Sequence, residues 1–132
     1  MLTESWSTVS GQRGSSVPVG WPLEVPAPDH PEFVVRAVAW MLDLGAPEWR
    51  MSPVWRDYPL ALAHRLRHEI EGRREGARSA YATARASLAE DSADIARVLE
   101  ALEAEGAQLA ARAREADLIH EALSGRRWRE RL

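Results

Sequence analysis

Between Pro59 and Leu123 the chain repeats its apolar positions at alternating steps of three and four. The later half of this span gives Ile95, Leu99, Leu102, Gly106, Leu109, Ala113, Ala116, His120 and Leu123. The earlier half gives Leu60, Ala63, Arg67, Ile70, Arg74, Ala77, Tyr81, Ala84 and Leu88. That spacing draws one narrow stripe along a helix, the seam of a coiled coil when it is sustained. It predicts two long helices, Pro59 to Asp91 and Ser92 to Leu123, reversed at Glu90-Asp91-Ser92-Ala93. Run against each other, the stripes pair Leu88 with Ile95, Ala84 with Leu99, Tyr81 with Leu102, Ala77 with Gly106 and Ile70 with Ala113. Large residues mostly meet small ones, as interdigitating seams require. The Ala77–Gly106 rung is expected to be the closest approach. Arg67 and Arg74 interrupt the stripe; arginine can lay its methylenes along a seam and keep its head in water.

The ends carry their own signals. Asp91 or Ser92 is placed to cap the second arm, with Asp94 in its positive first turn. Gly125 is the left-handed residue expected past its end. Gly72 and Gly76 lie off the seam, beside Ser79 and Thr83, and leave a shallow notch.

Upstream, the pattern changes. Residues 1–28 begin polar and small, then pass into Val17-Pro-Val-Gly-Trp-Pro-Leu-Glu-Val-Pro-Ala-Pro28, which favours extended or polyproline backbone. Its Trp21, Val19, Leu23 and Val25 are apolar enough to strap along a bundle; the competing reading is a recognition peptide. Asp29-x-x-Glu32 reads as a capping box, with Pro31 in the first turn, for a helix from Asp29 to Leu44 ended by Gly45 and Pro47. This helix is apolar nearly all round, so it should be buried on more than one side. The groove at the open end of the hairpin, against Leu62, Leu66, Ile119 and Leu123, is its natural seat. Residues 46–58 form a connector with one helical turn at Pro47-Glu-Trp-Arg-Met and another after Ser52, which can cap it.

The architecture predicted is therefore all-α: a long antiparallel helical hairpin (a coiled coil) with a short buried N-terminal helix packed at its open end. Residues 1–28 are an extended segment, 29–125 the helical hairpin domain, and 126–132 a basic C-terminal tail.

Composition narrows the function more than it names one. The chain has 132 residues, no cysteine and a net charge of −3. It therefore has neither disulfides nor thiolate chemistry, and is expected to be cytoplasmic. No apolar run approaches the roughly 20 residues that span a bilayer. All 17 basic residues are arginine, and residues 92–124 carry seven acids against three arginines. A basic stripe of the kind nucleic acid requires is confined to the tail.

Aromatic and arginine residues alternate in the connector and recur in the tail. Trp21, Trp49, Arg50, Trp55, Arg56 and Trp128 are the candidate partner-binding residues, since Trp and Arg are the usual interface anchors. The competing reading is that wide aromatics plug the end of a bundle. For metal chemistry, His64, His68 and His120 fall near one level of the hairpin, beside Asp117 and Glu121. His64 and His68 lie beside the seam next to arginines, however, and the first arm lacks the Glu-x-x-His that would match Asp117-x-x-His120. No metal site, cofactor or catalytic residue is assigned. The phosphate loop, Gly-x-Ser-x-Gly and His-Glu-x-x-His motifs are absent, and no enzyme activity is expected.

Gly20-Trp-Pro, Ala39-Trp-Met-Leu-Asp-Leu, Pro47-Glu-Trp-Arg and Ala122-Leu-Ser-Gly-Arg-Arg together resemble a set of small actinobacterial helical proteins of unassigned function. The resemblance spans most of residues 17–132. Its motifs are structural, so it implies a fold and no site. The function expected is a non-enzymatic protein-interaction module: an adaptor, a regulator or a self-assembling scaffold. Its partner is expected to be another protein or a second copy of itself. The alternative is a nucleic-acid-associated regulator using Arg50, Arg56 and the C-terminal arginines.

Overall fold

The computed structural model describes residues 17–87 and 92–126. Helix α1 spans Phe33–Leu44, a 3₁₀ turn covers Pro47–Met51, and a short α2 covers Val54–Asp57. Two long helices follow, α3 at Pro59–Ser87 and α4 at Ser92–Leu123. The expected chain reversal at 90–93, its Asp91 or Ser92 cap and the Leu88–Ile95 rung fall on or against undescribed residues.

α3 and α4 form the antiparallel hairpin. Arg67 Nε donates to Asp117 Oδ1 at 2.8 Å, and fourteen residues further along α3 the Tyr81 hydroxyl meets Glu103, fourteen residues back along α4, at 3.3 Å. The register is the one drawn from the stripes. Ala77 and Ala84 of α3 and Leu109 of α4 are buried along the seam.

One rung departs from expectation. A side-chain carbon built on Gly106 would meet nothing within 4 Å. Gly106 is therefore not the closest contact between the arms; with Arg74, Ala77, Tyr81 and Leu102 it lines a groove of about 210 Å³. Periodicity assigns a face, whereas long side chains such as Arg74 and Tyr81 on adjacent rungs set the separation. Gly72 and Gly76 likewise open onto empty space.

α1 begins later than its sequence indicates. Its first residue is Phe33, and Glu32 stands at the cap position without a side-chain cap bond. The reason lies in Pro31, which disfavours helical backbone at His30. The chain turns instead. The His30 N–H donates to the Ala27 carbonyl at 2.9 Å, the Phe33 N–H to the His30 carbonyl at 3.0 Å, and the Glu32 N–H to His30 Nδ1 at 3.0 Å. The imidazole thus takes the role assigned to Asp29. α1 buries Phe33, Ala37, Val38, Trp40, Met41 and Leu42, and turns Val35, Arg36, Ala39 and Asp43 outward. It seats at the open end of the hairpin against Leu62, Leu66, Ile119 and Ala122.

Gly45 ends α1, donating its N–H to the Met41 carbonyl at 3.0 Å with extended rather than left-handed backbone. At the second turn Ser52 makes no cap bond and Pro53 occupies the cap position; the Arg56 and Asp57 N–H groups both donate to the Pro53 carbonyl. Gly125 fulfils its assignment. At φ +100° it closes α4 with a Schellman pair, Arg126 N–H to the Glu121 carbonyl at 2.9 Å and Gly125 N–H to the Ala122 carbonyl at 3.0 Å.

Candidate interaction surface

Every described tryptophan of the connector and N-terminal segment is drawn toward the core. Trp21 lies half-buried against Phe33, ring centroids 6.1 Å apart, and its indole N–H donates to the Val25 carbonyl at 2.8 Å. Pro22, Val25 and Pro28 are buried alongside. The segment is held down by two arginines: Arg114 of α4 donates to the Val19 carbonyl at 3.2 Å, and Arg36 of α1 to the Glu24 carbonyl at 3.1 Å. At Gly20, φ is +98°, and a side-chain carbon would stand 3.1 Å from Arg114 Nε. The positive φ favours glycine, and a side chain there would crowd Arg114. Residues 17–28 strap the bundle.

Trp49 is 6% exposed. It packs against Trp55 in a tilted arrangement, 6.0 Å between centroids, and the Arg65 guanidinium caps its ring at 4.9 Å. Arg50 donates to the Leu42 carbonyl at 3.2 Å and pairs with the Asp43 carboxylate, tying the connector to the end of α1. Arg56 donates to the Arg50 carbonyl at 3.3 Å. Of the candidate residues, Trp49 is thus closed to solvent, Trp21 and Trp55 are half-closed, and Arg50 and Arg56 are exposed but engaged. Trp128 lies outside the described residues.

The apolar groups that do face water at this end are others: Leu23 at 98%, Met51 at 84% and Tyr58 at 63% exposure. Leu23 and Val19, expected to lie along the bundle with Trp21 and Val25, instead face water at 98% and 91% exposure, while Val25 is buried.

One flank of the hairpin is lined by polar pairs from His64 to Arg78 of α3. His64 and His120 approach within 3.2 Å, Nε2 to Nε2, and their rings meet edge to face. One turn on is the Arg67–Asp117 pair. Glu71 then pairs with Arg74 at 3.5 Å and Arg78 at 3.4 Å, and Glu75 with Arg78 at 2.7 Å. His64, Arg67, His68, Glu71, Arg74 and Asp117 line a shallow groove of about 340 Å³. His64 and His120 meet, whereas His68 lines the groove with His64 one turn further along α3, and no group of three or more His, Asp or Glu side chains among the described residues is placed to hold a metal. The His120 pKa is pushed below its ordinary value, first by burial, then by Arg67 and His64, against the pull of Asp117 and Glu121.

The distal half of the hairpin is built differently. The core cluster reaches no further than Ile70 on α3 and Ala113 on α4. Beyond them, among the described residues, α3 and α4 pack against each other and no other element joins the core cluster. Ile95, Leu99 and Leu102 are half-exposed on the seam itself, and Val98 is 38% exposed beside it.

No protein-family model, curated protein or solved structure matches the chain. No helix among the described residues is long and apolar enough to cross a membrane.

Proposed function

We propose that this chain is a non-enzymatic, cytoplasmic protein-interaction module whose docking element is the distal half of the hairpin, about residues 73–111, and whose first partner is a second copy of itself. The observation that carries the reading is the uneven cover of the two arms. α1 and the strap enclose the open end, while the distal arms bury only a thin, alanine-rich seam.

Burial contributes roughly 25 cal/mol per Å² of apolar surface. Ordering each residue costs roughly 1–2 kcal/mol. Two helices sharing one stripe return little against that cost, and a third or fourth helix across Val98, Ala101 and Leu102 offsets it. Two-fold pairing is the simplest closed arrangement that supplies them. The tryptophan–arginine connector supports the module rather than forming its contact face: Trp49 and Trp55 fill the end of the bundle, and Arg50 fastens the connector to α1.

The test is the protein's mass in solution, measured by light scattering, for the native chain and for Val98→Arg/Ala101→Arg. The native chain is expected to be dimeric and the variant monomeric. A native monomer of full helicity would overturn the reading.

A further inference from the structure

The polar flank of the hairpin holds one contact whose chemistry depends on protonation. His64 of α3 and His120 of α4 place their Nε2 atoms 3.2 Å apart, with ring planes at 73°. At that distance one nitrogen must donate a hydrogen and the other accept it. The accepting ring must be neutral. If both rings are protonated, both Nε2 atoms carry hydrogen, no acceptor remains, and two cations are in contact.

The surroundings offer limited relief. From α3, Arg67, His68 and Glu71 face the same groove; from α4, Asp117 does, and Glu121 lies beside His120 in the chain. Asp117 is held by Arg67 at 2.8 Å, and Glu71 by Arg74 and Arg78. Asp117 and Glu71 are thus already matched by guanidinium groups, which leaves Glu121 to draw His120 toward its charged form against burial, Arg67 and His64. On the inner flank at the same level, Ala63, Leu66, Ala116 and Ile119 are buried in the core. A disturbance at the histidines therefore bears on the part of the hairpin where α1 seats.

We propose that the His64–His120 contact is an acid-sensitive clasp across the stem of the hairpin: it closes while one imidazole is neutral and opens when both are protonated. The depressed His120 pKa agrees in sign. The fold favours the neutral ring, so the unfolded chain takes up the proton first as pH falls. The stability held by the clasp is whole above about pH 6.5, the ordinary histidine value, and is lost as pH falls through the lower folded value.

The experiment compares melting temperatures at pH 7.5 and pH 5.0, at constant ionic strength, for the native chain, His64→Gln, His120→Gln and the double variant. On acidification the native chain is expected to lose about 3 °C more than the double variant. Equal losses in all four would overturn the clasp. Should a variant fail to fold, an NMR titration of the native imidazoles decides. Coupled titration, with the His120 midpoint below the ordinary value, supports the clasp. Independent titration of both rings near pH 6.5 overturns it.

Discussion

Gly45 and Trp49 occupy one corner of the molecule, and only the absence of a side chain at Gly45 lets the indole in. A carbon added at Gly45 would fall inside the van der Waals envelope of Trp49 Cε3 and Cζ3. The backbone at Gly45 is one that any residue adopts, at φ −84°, so the constraint is steric. Gly45→Ala should destabilise by about 1–3 kcal/mol through overpacking. Urea unfolding followed by tryptophan fluorescence measures it, and an unchanged midpoint would mean the ring is not seated there.

Gly106, Gly72 and Gly76 should behave in the opposite way. Each sits within a long helix with open space where a side-chain carbon would go. Replacing any of them with alanine should stabilise by up to about 1 kcal/mol, the helix-propensity difference. A loss of stability at Gly106 alone would restore the close rung with Ala77.

The strap should matter to folding. Trp21→Ala removes the Phe33 contact and the hydrogen bond to Val25. For a half-buried tryptophan a loss of about 2 kcal/mol is expected, below the 3–5 kcal/mol of full burial. A variant as stable as the native chain would return this segment to the role of a free recognition peptide.

The Arg67–Asp117 bridge should be worth far less. Its side chains are 40% and 53% exposed, and exposed pairs contribute roughly 0–1 kcal/mol. Asp117→Asn should lower stability by no more than about 0.5 kcal/mol, with the difference shrinking in high salt. A much larger cost would show that the bridge organises the groove around His120.

These contrasts show what the sequence could and could not convey. The second arm is legible to the residue, because its seam, its final Ser124-Gly125 and its length agree. The pairing of the arms is legible because both stripes share one spacing, and the Arg67–Asp117 and Tyr81–Glu103 contacts keep that register. The start of α1 is not, since Asp29-x-x-Glu32 and Pro31 both read as helix openers, and Pro31's effect on His30 decides between them. Glycine roles were exchanged: periodicity placed Gly106 on a seam but held no information on the distance between helices, while Gly45 looked like a plain terminator and proved to be the close contact. The tryptophans were legible as anchors. Their anchoring is largely internal, because the connector folds back over α3 and brings Trp49 beneath Arg65.

The most direct test of the interaction module is light scattering coupled to size-exclusion chromatography at tens of micromolar protein, with helicity checked on the same sample. The uncovered distal arms predict a mass of two chains, falling to one in Val98→Arg/Ala101→Arg while α1 and its core remain folded. A single-chain mass for the native protein at full helicity would contradict the account, because the distal hairpin would then stand in water without a second copy to cover it.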